Sequence, residues 1–184
     1  MVETVVKIAP RERLLSTAGS LFYKDGYRGV GIDRVIAESG VAKATFYNHF
    51  PSKDDLIVAW IEKAGSFGDG LEKSKIENSN EPLLAVFDAY VDIANRAECM
   101  GCTFQGTAAE FPDEGHPAHA ASLKVKRAVI ARFENYAVMQ GLGEPRKMAE
   151  MLYLLLEGVW ATTRMFRQDA PIGFAKEAAR RLVE

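Results

Sequence analysis

The 184-residue chain is predicted to be all-α, with a three-helix head carrying a helix-turn-helix followed by a larger helical bundle. Three observations favour this fold class. Apolar residues recur at helical spacing almost from end to end, no segment alternates with the period of two typical of a strand, and no internal repeat is visible. Hydrophobic residues make up 48% of the chain and charged residues 26%, so a packed core can form and a disordered composition is excluded.

The first two helices of the head are bounded by proline and glycine. A helix over residues 10–25 begins with Pro10, which suits a first turn, and stops at Gly26. Its apolar face carries Leu14, Ala18, Leu21 and Phe22. A second helix of about two turns repeats the pattern with Ile32, Val35 and Ile36. It ends at Gly40, because glycine readily takes the turn conformation that a β-carbon disfavours.

The third helix of the head and a fourth helix that links it to the rest of the chain follow directly. Residues 42–50 form a short helix with Phe46 and Phe50 on one face, and Pro51 prevents its continuation. Ser52 then supplies a capping hydroxyl to the fourth helix, and two aspartates follow at its positive end. The inward face of this helix carries Leu56, Ile57, Trp60 and Ile61.

Residues 1–63 are expected to form one domain and residues 64–184 a second, helical domain. Gly65, Gly68 and Gly70 predict a frayed or bent helix, and the polar run 77–81 predicts a loop. Four further helical segments, each begun by a proline, are predicted over residues 82–100, 117–139, 145–167 and 171–183.

The distribution of charge indicates that the two parts have different partners. The chain carries a formal net charge of -2, which argues against a non-specific architectural DNA binder. Residues 1–63 nevertheless hold nine basic and eight acidic residues, and residues 39–53 contain no acid at all. That acid-free window includes Lys43, His49 and Lys53, so any affinity for DNA must be local.

Two short helices joined through a glycine turn are what a helix-turn-helix needs, because the second helix is small enough to enter the major groove. Residues 40–56 read GVAKATFYNHFPSKDDL. This run resembles the motif of the TetR/AcrR family of transcriptional repressors, and the close match covers roughly residues 11–61. The resemblance implies that residues 1–63 are the DNA-binding domain and that residues 64–184 are a helical ligand-binding and dimerisation domain. It also implies a homodimer that binds a palindromic operator in double-stranded DNA and is released by a small-molecule inducer.

The resemblance also implies roles for individual side chains. Tyr47, His49 and Lys53 would contact phosphates, with Arg34 as a further backbone contact. Those expected to face bases or the groove wall are Lys43, Ala44, Thr45 and Asn48. Taken singly, a tyrosine or histidine is more often packed or paired locally, and a lysine is more often solvated. The joint spacing favours DNA contact for Tyr47 and His49, and the acid-free window favours it for Lys43 and Lys53. For Ala44 and Asn48 the two interpretations are about even.

The chain departs from the family pattern at two helix starts. Family members commonly have Thr at the start of the second helix and Ser at the start of the third, where this chain has Gly31 and Ala42. Glycine is a tolerable cap, whereas alanine is a poor one at a cost of about 1 kcal/mol. We therefore expect weaker anchoring to the DNA backbone at these ends but no loss of binding.

The C-terminal part contains a Cys-His segment that allows three interpretations. The spacing C-x2-C-x13-H-x2-H, formed by Cys99, Cys102, His116 and His119, resembles a zinc-binding pattern. Two features argue against zinc: the histidines are closer together than the usual three to five intervening residues, and a proline lies between them. The two thiols are also close enough in sequence for a redox switch. Plain burial of small cysteines in a core is the strongest of the three. No metal ligand set and no cofactor is therefore assigned.

The inducer site is predicted from aromatic residues and from a second resemblance. Segments similar to Gly-Cys-x-Phe ending in Ala-Ala-Glu-Phe occur in one TetR/AcrR subgroup, which implies a structural or pocket-lining role for Cys102, Phe104 and Glu110. Aromatics of the bundle are numerous enough to line an apolar pocket between helices. The candidate ligand-binding residues are Phe87, Tyr90, Cys102, Phe104, Glu110 and Trp160.

The last two helical segments are predicted to form the dimer surface. One stripe consists of Met148, Met151, Leu152, Leu155, Val159 and Trp160, and the other of Phe174, Ala178 and Leu182. A dimer would read two half-sites about 34 Å apart or a multiple of that distance.

Other classes of protein are disfavoured by what the sequence lacks. A Cys-His enzyme is the rival class, but there is no nucleophile elbow and no phosphate-binding glycine loop. The acidic start of the chain is unlike a secretory signal, and no apolar run reaches the ~20 residues of a membrane span. A cytoplasmic protein without a membrane partner is expected.

Overall fold

The computed structural model describes residues 8–76 and 79–184, without the side chains of residues 67–75. The acidic start of the chain and the first two residues of the predicted loop 77–81 lie outside the described residues. Within these ranges the chain is all-helical with no strand, as predicted. The helices are α1 (Pro10–Asp25), α2 (Ile32–Ser39), α3 (Lys43–His49), α4 (Lys53–Ile76), α5 (Pro82–Ala94), α6 (Thr103–Glu110), α7 (Pro117–Met139), α8 (Pro145–Phe166) and α9 (Ala175–Val183).

The fourth helix differs from its prediction, because it continues through Gly65 and the two later glycines to Ile76. Gly65 is a packing position here. A β-carbon at residue 65 would lie 2.8 Å from a methyl group of Val125, so the glycine lets α4 and α7 approach closely. A glycine that would weaken an isolated helix is thus retained within one because a neighbouring helix packs on it.

Three further boundaries also differ. The helix that begins at Pro82 ends at Ala94, and an additional short helix, α6, occupies part of the predicted Cys-His segment. The last helix begins at Ala175, because residues 170–174 form turns that bury Ile172. A short 3-10 turn, Arg167–Asp169, follows α8.

The buried side chains form two clusters. The first fills the space between α1, α2, α3 and the first half of α4, which together form the head, and its largest fully buried side chains include Phe46 and Tyr27. The second lies among α5, α7, α8 and α9, which form the body, and is centred on Phe87 and Phe133. Phe111 and Ala118 belong to the head cluster although they follow α5 in sequence, so the body supplies part of the head's core.

No helix in the described part of the chain is long and apolar enough to cross a membrane.

Candidate DNA-binding surface and ligand cavity

The turn between α2 and α3 has the geometry of a helix-turn-helix. Gly40 takes the left-handed conformation at φ 62° and ψ 29°, which reverses the chain directly after α2. Val41 is buried behind the turn, and Ala42 precedes α3 in an extended conformation. As expected, neither Gly31 nor Ala42 offers a side-chain hydrogen bond to the helix that follows it.

The helix α3 is held against the head by one face and presents the other to solvent. Phe46 is fully buried, and Phe50 beyond the end of the helix lies 6.0 Å from it between ring centroids. Thr45 is half-buried. The exposed predicted DNA-binding residues on this helix are Lys43, Ala44, Tyr47, Asn48 and His49. The structure therefore brings six of the eight predicted residues together on one short helix.

The other two predicted DNA-binding residues lie outside α3. The guanidinium of Arg34 is ion-paired with Asp25 at 2.7 Å and with Glu38 at 2.8 Å, so its role at a phosphate would require exchange of these partners. Lys53 is half-buried at the start of α4, and desolvation lowers the pKa of its ammonium against the opposing effect of Asp54.

The start of α4 is fixed by reciprocal capping. The backbone N–H of Ser52 donates to the Asp55 carboxylate at 3.0 Å, and the Ser52 hydroxyl donates to the same carboxylate at 2.7 Å. The backbone N–H of Asp55 donates in turn to the Ser52 hydroxyl at 3.2 Å. Capping of this kind satisfies N–H groups that the helix itself leaves unpaired, and it fixes the first turn of α4, which begins at Lys53.

A cavity of about 410 Å³ lies between the head and the body. This volume falls in the range of ~300–1,000 Å³ usual for small-molecule pockets. No charged side chain is among the described residues that line it. Its walls are formed by Gly19, Ser20, Tyr23, Trp60, Ala64, Gly65, Tyr90, Ile93, Cys99, Gly101, Cys102, Thr103, Phe104, Val125, Val129 and Trp160.

Four of the six predicted ligand-binding residues line this cavity: Tyr90, Cys102, Phe104 and Trp160. Phe87 does not, because it is fully buried in the body core against Phe133 at 6.3 Å. Glu110 does not line it either, because its carboxylate points toward the head. The prediction missed the contribution of α1 and α4, because Trp60 was expected only on the inward face of the head and Tyr23 was not among the predicted residues.

Residues 99–110, the junction segment, join the cavity to the head through hydrogen bonds to α1. The Tyr23 hydroxyl accepts from the backbone N–H of Met100 at 2.6 Å and donates to the carbonyl of Gly101 at 3.0 Å. Burial raises the pKa of this hydroxyl to about 12. The Tyr27 hydroxyl shares a hydrogen bond of 2.8 Å with the hydroxyl of Thr103.

Glu110 makes the last contact of the junction segment with the head. Its two carboxylate oxygens accept from the backbone N–H groups of Tyr27 and Arg28 at 2.9 and 2.8 Å. Gly26 permits this approach, because it has a φ of 79° and a β-carbon there would lie 3.0 Å from the carboxylate. The same segment therefore lines the cavity at Cys99 and holds the loop before α2 at its other end.

The four residues of the Cys-His pattern are not brought together. Cys99 and Cys102 are free, buried thiols at the cavity, whereas the His116 ring stacks on Phe111 at 4.3 Å. A ring nitrogen of His119 shares a hydrogen bond of 2.8 Å with the Phe111 carbonyl. Among the residues that the structure describes, no three His, Cys, Asp or Glu side chains are placed to hold a metal ion.

The predicted dimer stripe on α8 faces mostly inward, which corrects that part of the prediction. Leu152, Val159 and Trp160 are buried in the body of their own chain. The outward apolar stripe is offset around the helix and consists of Met151, Leu154, Gly158, Ala161 and Met165. The second predicted stripe lies on the last helical segment. Its Phe174 is 79% exposed, while its Ala178 and Leu182 are half-buried.

Comparison with known proteins supports the helix-turn-helix geometry. The family model described as "Bacterial regulatory proteins, tetR family" matches residues 14–60. The uncharacterised HTH-type transcriptional regulator YxaF of Bacillus subtilis is 31% identical over 155 residues, covering 80% of this chain and 81% of that protein. The HTH-type transcriptional repressor NemR of Escherichia coli is 27% identical over 175 residues, covering 88% and 87%.

A solved structure extends the similarity to the body. A TetR-family transcriptional regulator from Streptomyces coelicolor superposes with a TM-score of 0.82 at 31% identity, covering 95% of this chain and 92% of that one. Both the head and the body thus have counterparts in a regulator of this kind, which makes the chain a DNA-binding protein and not an enzyme. The helix-turn-helix, the body and these relatives together show that the chain belongs to the TetR family of bacterial transcriptional regulators.

Proposed function

We propose that the chain is a ligand-responsive repressor that binds a palindromic operator as a homodimer and is released by a small molecule. The observation that carries the proposal is the position of the cavity. It is lined by Gly19 and Tyr23 of the DNA-binding head as well as by residues of the body. A ligand filling it would contact α1 directly and change how the head packs on the body.

The lining indicates the chemistry of the inducer. Two indole rings, Trp60 and Trp160, contribute to walls that are mainly apolar and uncharged, and the hydroxyl of Tyr23 is already hydrogen-bonded to the junction segment. Burial of apolar surface would therefore supply most of the binding free energy. A neutral, largely apolar compound, aromatic in part, fits these walls better than an ion.

The homodimer is supported by the outward apolar stripe of α8. Exposed apolar side chains that are contiguous along a helix favour association with a second copy, and a two-fold dimer presents two recognition helices to a palindrome. The exposed apolar side chains of this face are Met151, Leu154, Met165 and, beside α9, Phe174. A regulator of this kind acts on chromosomal DNA in the cytoplasm.

A mobility-shift assay tests the proposal. The purified chain should bind a palindrome near its own gene more tightly than random DNA of equal length. A thermal-shift screen of neutral aromatic compounds should find ligands that raise the melting temperature, since binding to the folded state stabilises it. Those ligands should release the palindrome. Equal binding to both DNAs, or stabilising ligands without effect on DNA binding, would count against repression relieved by an inducer.

Thiol sensing is a second candidate, favoured by one observation. Cys99 and Cys102 both line the cavity as free thiols, and the Tyr23 hydroxyl lies 3.6 Å from the Cys99 sulfur. Diamide oxidises two thiols to a disulfide and takes up the two electrons and two protons released. It should release the operator from the wild type but not from the Cys99→Ser/Cys102→Ser double variant. Release from both would reject this candidate.

A further inference from the structure

A second, smaller pocket lies beside the cavity, at the end of α1. Its volume is about 150 Å³, well below the ~300–1,000 Å³ usual for drug-sized ligands, so it suits a small oxyanion. Tyr23 and Thr103 line both pockets and form the wall between them. Unlike the cavity, this pocket has mainly polar walls.

Three cationic side chains line the pocket from two parts of the molecule. Lys24 belongs to α1 of the head, Arg164 lies in the last turn of α8, and Arg167 follows that helix. Within the described ranges, the side chains of Lys24 and Arg167 form no hydrogen bond or ion pair. The pocket therefore presents positive charge that the protein itself leaves without a counter-ion.

The one carboxylate in the wall, Glu110, offsets only one of these three positive charges. Both oxygens of Glu110 accept hydrogen bonds from the backbone N–H groups of Tyr27 and Arg28. No described residue that lines the pocket carries a second carboxylate. Three cations against one hydrogen-bonded carboxylate give the pocket a positive potential, which favours an anion.

Arg164 is held in place by contacts that leave part of its guanidinium free. One of its terminal N–H groups donates to the Cys102 carbonyl at 2.9 Å. The side chain crosses Gly101 and Gly106, where β-carbons would lie 2.7 and 3.1 Å from its atoms, so both glycines provide the space it occupies. The guanidinium is thus positioned beforehand and retains donors for a further acceptor.

The backbone at Arg167 is strained. Its φ of 57° and ψ of -125° lie in a region that side chains other than glycine rarely adopt, and such strain costs about 1–3 kcal/mol. The strained residue follows the last turn of α8 and lines the pocket directly. Strain of this kind clusters at active sites, ligand clamps and switch regions. A side chain without a partner at a strained position therefore fits a role in binding a ligand.

We propose that this pocket is a site for a small oxyanion, either free phosphate or the phosphoryl group of a small metabolite, held by Lys24, Arg164 and Arg167. Arginine and lysine residues that line one polar pocket offer the donors that recognise phosphate oxygens, and all three are exposed to an incoming anion. Because Lys24 comes from the head and the two arginines from the body, the bound anion joins the two parts. The site is distinct from the apolar cavity and does not depend on the function proposed for it.

Isothermal titration calorimetry of the full chain without DNA tests the proposal, with inorganic phosphate and glycerol phosphate as probes at constant ionic strength. We expect saturable binding at one site per chain. Arg167→Ala and Lys24→Ala should each weaken it about tenfold or more, because a hydrogen bond to a charged group is lost. Both variants should fold, since neither side chain has an internal partner, and circular dichroism checks this. Tighter binding of glycerol phosphate would identify a phosphoryl metabolite, and tighter inorganic phosphate the free ion.

Arg181→Ala is the matched control. Arg181 pairs with Glu177 on α9, does not line the pocket and carries the same charge as Arg167. It should retain wild-type affinity for phosphate. Absence of saturable binding by the wild type, or an equal loss in Arg181→Ala, would overturn the proposal. So would loss of operator affinity by Arg167→Ala in phosphate-free buffer as large as that of Lys53→Ala, because the cations would then serve DNA.

Discussion

The indole ring of Trp60 on α4 packs against Gly19 on α1 so closely that a β-carbon at residue 19 would lie 2.3 Å from the ring. Both residues also line the cavity. This contact sets the distance between the first and fourth helices of the head. It also means that the packing of the DNA-binding head and the shape of the ligand cavity depend on the same ring.

We expect Gly19→Ala to destabilise the protein by about 1–2 kcal/mol. Overpacking costs about 1–3 kcal/mol and outweighs the gain of up to ~1 kcal/mol from replacing a helical glycine. Urea unfolding followed by circular dichroism measures the difference. Gly143→Ala is the control, because no atom lies within 4 Å of the added carbon, and it should be nearly neutral. Equal stability of the two variants would contradict the packing argument.

We expect Glu110→Ala to cost about 1–3 kcal/mol of stability, because it leaves the backbone N–H groups of Tyr27 and Arg28 without their acceptor. Glu110→Gln keeps one carbonyl acceptor and should cost less. Glu114→Ala, at an exposed position in the following loop, is the control and should change the free energy of unfolding little. A Glu110→Ala variant as stable as Glu114→Ala would reject this contact between head and body.

The pKa of Tyr23 predicts a loss of stability at high pH. The folded state raises it from 10.0 to about 12 by burying the hydroxyl, so folding favours the neutral form. This contribution is complete below pH 10 and is lost as the pH rises from 10 toward 12. Urea unfolding between pH 9 and 11 should therefore show a shallower decline for Tyr23→Phe than for the wild type. Parallel declines would mean that Tyr23 is not the group responsible.

We expect Leu154→Glu to break the dimer. The side chain is 69% exposed in the middle of the outward stripe of α8, and a charge there would be desolvated in an interface. Light scattering should give the mass of one chain, with weaker operator binding as a consequence. Val138→Glu, at a 59% exposed position on α7, should remain dimeric. A dimeric Leu154→Glu protein would place the interface elsewhere.

The residues of α3, together with Lys53 at the start of α4, predict two kinds of DNA-binding variant. Tyr47→Phe and Lys53→Ala should weaken binding to every sequence, and the loss of one lysine–phosphate contact should lower the salt slope by about one. Lys43→Ala and Thr45→Val should instead change base preference by about 1–3 kcal/mol per position. Lys176→Ala on α9 is a control of equal charge. An unchanged salt slope for Lys53→Ala would remove it from the phosphate contacts.

The helices that could be predicted are those with a strong local signal. Pro10 and Gly26 bound α1, and Ser52 caps α4, so the pattern and the structure agree there. The short helix α6 was not predicted. It has only eight residues, contains Gly106, and its two faces differ little in hydrophobicity. Gly65 was wrongly predicted to bend or fray the fourth helix. Its effect depends on packing against Val125, which lies 60 positions away in the chain.

Parts of the candidate sites whose residues are close together in the sequence could be predicted, and parts assembled from distant segments could not. Six of the predicted DNA-binding residues fall within seven consecutive positions, so one motif was enough to predict that they lie together on α3. The cavity joins Tyr23 to Gly101 across an interval of 78 residues, and no pattern within either segment indicates the other. The predicted apolar stripe on α8 was wrong for most of its residues, for a related reason. Apolar residues surround much of α8, and only the packed structure decides that Leu152 faces inward and Leu154 outward.

The cavity is lined by residues of both the head and the body. This limits how freely the DNA-binding head of one family member can be joined to the body of another. A chimera that joined this head to a foreign body would lose the partners of Tyr23 and leave the amides of Tyr27 and Arg28 without Glu110. A graft intended to give this DNA specificity to another sensor must therefore also carry residues 99–110. Inheritance of the two parts should be linked in the same way, with changes on α1 compensated in the junction segment.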